Sequence, residues 1–158
     1  MGASRRLREK RSTTLGNSQW IRFEGTEQIP NTVNRLKQMV RSFRDRRAVV
    51  VPGGCPLPNT AVDSDDGNPK LRAKARQALS SWLDRLQSIA EEGQRRAEVR
   101  SDVDSEKLAT LIASTFEGSH MVSRLQRKEQ ALDLACRHLE EYLETEVRAE
   151  IEGQADKS

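Results

Sequence analysis

An all-α helical bundle is the fold class this sequence predicts, and three observations predict it. Apolar residues recur at three- and four-residue spacing along four long stretches of the chain. No segment alternates apolar and polar residues in a strand-turn-strand pattern. Aromatic residues make up 4% of the chain, too few for a sandwich or barrel built on aromatic and β-branched strands.

The first helix is expected from about Ile29, capped by Asn31 or Thr32, with Val33, Leu36, Met39, Val40 and Phe43 on one stripe. Arg44, Arg46 and Arg47 follow at its end, where cations offset the helix dipole. Ala48 to Val51 reads as an extended connector that stops at Pro52-Gly53-Gly54. Pro56 to about Val62 has room for two helical turns, with Pro56 and Pro58 tolerated in the first. Asp63 to Gly67 is a loop, and Asn68-Pro69 is a strong start signal for a long helix. Its stripe runs through Leu71, Ala75, Ala78, Leu79, Trp82, Leu83, Leu86, Ile89, Ala90 and Gly93, ending near Ala97.

Glu98 to Asp104 forms a turn in which Asp104 or Asp102 caps the next helix. That helix carries Leu108, Leu111, Ile112, Thr115, Phe116, Ser119, Val122 and Leu125, with Ala109, Ala113 and Gly118 on a neighbouring face. The last helix starts near Glu129 and presents Leu132, Ala135, Cys136, Leu139, Tyr142, Leu143 and Val147. Three segments result: a basic, flexible stretch over 1–28, one helical domain over 29–148 and a polar tail over 149–158.

Composition narrows the classes further. The 158 residues are 35% hydrophobic and 32% charged, a balance suited to slender amphipathic helices or to a protomer that completes its core with a partner. Cys55 and Cys136 stand far apart with no secretory signal, so they read as reduced thiols of a cytoplasmic protein. No run approaches the roughly 18 apolar residues of a membrane span. No phosphate loop, zinc-protease helix, paired-cysteine motif or nucleophile elbow occurs, so no catalytic residues, metal or cofactor are predicted. Cys136 and His138 lie two apart on one helix and point in different directions. Cys55 reads as a small buried residue behind two glycines.

The order of these elements resembles the regulatory domain of TetR-type bacterial transcription regulators. The resemblance spans Thr32 to Val147. It rests on GGCPLPNTAV at Gly53 to Val62, the NPKLRAKARQALSSWLDRL helix from Asn68 and the acidic turn before KLATLI. FEGSHMVSRL at Phe116 to Leu125 and CRHLEEYL at Cys136 to Leu143 complete it. It implies that the helices from Asn68 and Ser105 wall a pocket for a small-molecule effector. It also implies that the last two long helices pair with those of a second copy in a four-helix homodimer interface.

Met39, Phe43, Leu57, Trp82, Phe116 and His120 are the expected ligand-binding residues, because large or polarisable groups on converging stripes suit a mostly apolar pocket. His120 and Trp82 also fit a purely structural role. The expected dimer residues are Ala109, Ala113, Gly118, Val122, Leu132, Ala135, Leu139 and Tyr142. Packing within one chain is the other way to use them.

Members of the family carry a helix-turn-helix domain ahead of this region. Arg22-Phe23-Glu24-Gly25-Thr26-Glu27 echoes the end of such a domain, with Thr26 at the usual Lys position. The residues before it are too few for three packed helices. A decayed remnant, a late or frameshifted start and coincidence all account for this. DNA contact is therefore expected only through a missing or degenerate N-terminal domain, or weakly through the basic arm at Arg5, Arg6 and Arg8. An alternative function is a helical interaction protein that heterodimerises with intact regulators and blocks their DNA binding.

Overall fold

The structure, a computed structural model, describes residues 25–45 and 69–150. In chain order these form α1 (Thr32–Asp45), α2 (Pro69–Arg95), α3 (Ser105–Gln126) and α4 (Gln130–Tyr142), with a π-helical segment at Leu143–Val147. The architecture is all-α. The Ala48–Val51 connector, the Cys55 corner and the two turns expected at Pro56–Val62 lie outside the described residues.

Three of the expected helix starts have a local cause. The Asn31 side-chain oxygen accepts from the Asn34 amide at 3.0 Å, so Asn31 rather than Thr32 caps α1. Pro69 opens α2, where its missing N–H costs nothing. Asp104 caps α3 by accepting from the Lys107 amide at 3.0 Å, and these bonds hold its carboxyl below the usual range.

α4 begins differently. Glu129, the residue before it, makes no side-chain cap bond. Instead the Ser123 hydroxyl, from the last turn of α3, accepts from the Leu132 amide at 3.0 Å in a buried position. Ser123 also supplies its carbonyl to the Lys128 amide at 3.0 Å, while Arg127 takes a left-handed conformation with φ 52°. One serine thus closes α3 and opens α4.

α3 lies between α2 and α4, and α1 crosses both. The core draws on every helix: Val33, Leu36, Met39 and Val40 from α1, Trp82, Leu86, Ile89 and Ala90 from α2, Leu108, Ile112 and Phe116 from α3, and Leu132, Cys136 and Leu139 from α4. Where α1 meets the end of α2 the approach is close. A Cβ at Gly93 would sit 2.4 Å from Thr32 Oγ1 and 2.5 Å from Val99 Cγ2.

The final helix does not run unbroken to Val147 as its stripe predicts. It widens after Tyr142 into the π-helical segment, and Leu143 and Val147 are both fully buried there. The chain then leaves as an extended strip against the turn after α2. The Arg100 amide donates to the Val147 carbonyl at 2.9 Å and the Ala149 amide to the Glu98 carbonyl at 3.0 Å.

A polar junction forms around that strip. The Thr32 amide and hydroxyl both donate to Glu98 Oε2, at 2.7 and 2.8 Å. Arg148 donates to the Asn31 and Asn34 side-chain oxygens at 3.2 and 2.6 Å and pairs with Glu144 at 2.8 Å. Packing also extends ahead of Ile29: Thr26 is buried and Glu27 pairs with Arg85. The turn at Gly25–Gln28 thus makes contact with α2. Among the described residues no helix is long and apolar enough to cross a membrane.

Candidate functional site

Three aromatic side chains from three helices meet at the centre of the bundle. Phe43, in the last turn of α1, stacks on Phe116 of α3 with ring centroids 4.2 Å apart and planes 8° from parallel. Trp82 of α2 lies on the same column, 6.4 Å from Phe116 and 12° from parallel. Helical spacing explains the convergence, because each ring sits on the stripe its helix turns inward. Phe116 and Trp82 are fully buried, while Phe43 is only partly covered.

Of the expected ligand residues, the structure therefore joins Phe43, Phe116 and Trp82 directly. Met39 is buried one turn before Phe43, and His120 is half-buried one turn after Phe116. Leu57 lies outside the described residues, as do Arg5, Arg6 and Arg8. Of the three rings only Phe43 keeps part of its surface uncovered, at the end of the column.

The expected dimer residues divide into two sets. Ala109, Ala113, Leu132 and Leu139 are buried inside the chain's own core. Gly118, Ala135 and Tyr142 are half-buried and Val122 is exposed.

The outward apolar residues are others: Leu125 is 78% exposed, Met121 55%, Leu134 52% and Leu111 41%. Leu111 and Leu125 were expected on one stripe with Ile112 and Phe116. That stripe is in fact two. Leu108, Ile112, Phe116 and Ser119 face inward, whereas Leu111, Met121 and Leu125 face out. The signal was present as a second series at three- and four-residue steps, Leu111, Ser114, Gly118, Met121 and Leu125.

Beside the outer face, an open groove of roughly 910 Å³ runs along the first turns of α3. Its walls include Leu111 and Ser114 on one side and Tyr142 and Glu146 on the other. This groove is remote in kind from the aromatic column: it is shallow, and Asp102, Asp104, Glu106 and Lys107 line it as well.

The arrangement has counterparts among known proteins. The profile of the tetracyclin repressor-like C-terminal domain matches residues 32–139, more than half of the chain. The chain belongs to that family. A TetR transcriptional regulator from Chloroflexus aurantiacus superposes on this TetR-like domain with a TM-score of 0.79 and 30% identity. That match covers 90% of this chain and 71% of the other. A TetR-family regulator from Cytophaga hutchinsonii gives 0.79 at 24% identity, over 89% and 70% of the two chains. The reduced form of NemR from E. coli gives 0.66 at 12% identity, over 85% and 68%, a likeness of fold alone. No curated protein sequence matches the TetR-like domain.

Proposed function

We propose that this chain is the effector-sensing and pairing portion of a transcription regulator. It binds a small, mostly apolar molecule against the Phe43–Phe116–Trp82 column and pairs with a second copy through the outer faces of α3 and α4. It is normally coupled to a DNA-binding domain. The stacked column carries the sensing half of this reading. It links α1, α2 and α3 through one ring each, so a molecule wedged against Phe43 displaces α1 relative to α3. Interiors pack too densely to absorb an added ring without such movement. The unpartnered apolar face of α3 supports the pairing half.

The test is a thermal-shift titration of the full chain with a panel of small aromatic and aliphatic compounds. A binder present at a hundred times its Kd stabilises by about 2.7 kcal/mol. The same compound should quench Trp82 fluorescence in a Trp20→Phe variant and lose its effect in Phe116→Leu. A panel in which no compound raises Tm, or in which binding leaves Trp82 emission unchanged, overturns the sensing half. Light scattering at tens of micromolar, roughly the range of weak dimers, tests the pairing half.

A further inference from the structure

The first turn of α1 is gripped from two sides by polar side chains that come from distant parts of the chain. On one side Glu98, in the turn after α2, takes the Thr32 amide and hydroxyl on a single carboxylate oxygen, at 2.7 and 2.8 Å. Its other oxygen pairs with Arg96 at 2.9 Å. A carboxylate at this end of a helix also meets the positive pole of the dipole. On the other side Arg148 spreads its planar fork over the Asn31 and Asn34 side-chain oxygens and over Glu144, at 3.2, 2.6 and 3.0 Å. Between them lies Gly93, where a Cβ would collide with Thr32.

The two arms are joined. The Ala149 amide donates to the Glu98 carbonyl at 3.0 Å, so Arg148 and Glu98 stand on paired strips of backbone. α4 sets where that pairing falls. The Arg148 amide donates to the Leu143 carbonyl at 3.1 Å, five residues back, so the π turn closes on Arg148 itself. Further along, α1 meets its neighbours through single ion pairs: Arg35 with Glu92 on α2, Lys37 with Glu144, and Arg41 and Arg44 with Glu140 on α4. Pairs open to solvent are worth little. Val33, Leu36, Met39 and Val40 are buried, but apolar contact is non-directional and holds a helix on a core without fixing its angle. The directional bonds at the first turn fix it.

We propose that Glu98 and Arg148 form a single latch on the first turn of α1, which sets the angle at which α1 rests on the core and must open before α1 can shift. This rests on the sensing half of the function proposed above, where displacement of α1 is the signal, and adds what opposes that displacement. Through the π turn, the latch also ties the end of α4 to the start of α1.

Amide exchange of the full chain by NMR, with no compound added, tests the latch. Glu98→Gln removes the charged acceptor of the Thr32 amide, which should then exchange about tenfold faster. The decisive variant is Arg148→Gln. Arg148 bonds Asn31, Asn34 and Glu144 rather than Thr32, so independent contacts would leave the Thr32 amide as it was. A latch that opens as one unit should quicken it about as much as Glu98→Gln does, and the double variant should add little beyond either single one. Amides of Val40 in α1 and Leu86 in α2 should keep their protection. In a Trp20→Phe background both single variants should also alter Trp82 emission, because a freed α1 carries Phe43 along the column. A Thr32 amide unmoved by Arg148→Gln overturns the single latch, and equal quickening at Val40 and Leu86 overturns it in favour of general loosening. Quickened exchange at Thr32 with unchanged Trp82 emission overturns its control over α1. None of these readings uses a ligand, so a panel without binders overturns the sensing half and leaves the latch standing.

Discussion

The inner and outer faces of α3 are built from similar residues and end in opposite conditions. Leu108, Ile112 and Phe116 are almost fully covered, while Leu111, Met121 and Leu125 on the same helix stay largely in water. The inner face is also closed to polar loss. Ser119 donates to the Phe116 carbonyl at 3.0 Å, and Ser123 accepts the Leu132 amide. Nothing in the residue types separates the two faces, since leucines lie on both. What separates them is the supply of covering helices: among the described residues, α2 and α4 pack against the inner side of α3. Buried apolar area stabilises by roughly 25 cal/mol per Å², so the inner face contributes to folding and the exposed residues of the outer face contribute little to it.

Substitutions should therefore read out in different experiments. Phe116→Ala, which removes the middle ring of the column, should cost about 3–5 kcal/mol in urea unfolding because the cavity is only partly refilled. A loss below about 1 kcal/mol would mean that the column is loosely packed and that the two faces differ less than their exposure implies.

Ser123→Ala leaves the Leu132 amide buried without its acceptor. It should cost about 1–3 kcal/mol, with the urea slope unchanged. Amide exchange at Leu132 should quicken more than exchange at the centre of α4. Equal protection in both places would show that water replaces the hydroxyl.

The seam between α1 and α4 provides an intermediate case, polar and exposed. Lys37 pairs with Glu144 at 2.8 Å and Arg41 with Glu140 at 2.8 Å. Hydrogen bonds from Lys37 and then Arg148 hold the Glu144 carboxyl below its usual value. A carboxylate with a depressed folded pKa adds stability that is complete above its unfolded pKa, about 4.3, and is lost as pH falls through the folded one. Stability should drop on acidification below that point, and Glu144→Gln should flatten part of the drop. The effect near neutral pH is small, because exposed pairs are screened. An unaltered pH profile in the variant would assign the acid sensitivity to other carboxylates.

The smallest change in folding belongs to the outer face. Met121→Ser should leave the unfolding free energy within about 0.5 kcal/mol when measured at concentrations where the chain is monomeric. Its consequence should show only in the sedimentation or light-scattering midpoint, shifted toward monomer. If Met121→Ser instead destabilises the monomer by as much as an inner-face truncation, the outer face is covered by the chain itself.

Much of this molecule was legible as a string of residues. The fold class, the starts of α1, α2 and α3, and the convergence of Phe43, Trp82 and Phe116 all follow from spacing and capping chemistry, which act within a few residues. The path of the aromatic column was readable because each ring is its helix's largest inward group. The second series on α3, Leu111 to Leu125, is visible too, but which of its two faces is buried was not, since a helix with apolar residues on two sides gives no period that ranks them.

Tertiary structure alone decided that ranking, and with it which apolar residues stay exposed. It buried Ala109, Ala113, Leu132 and Leu139 in one chain and left Leu125 and Met121 exposed. It also chose the partners of Thr32 and Arg148, whose hydrogen bonds reach Glu98 and Asn31 across long stretches of chain. Such bonds depend on the angle and height at which two helices cross. Local propensity sets where each helix lies in the chain, but only the sum of many side-chain contacts sets how helices cross.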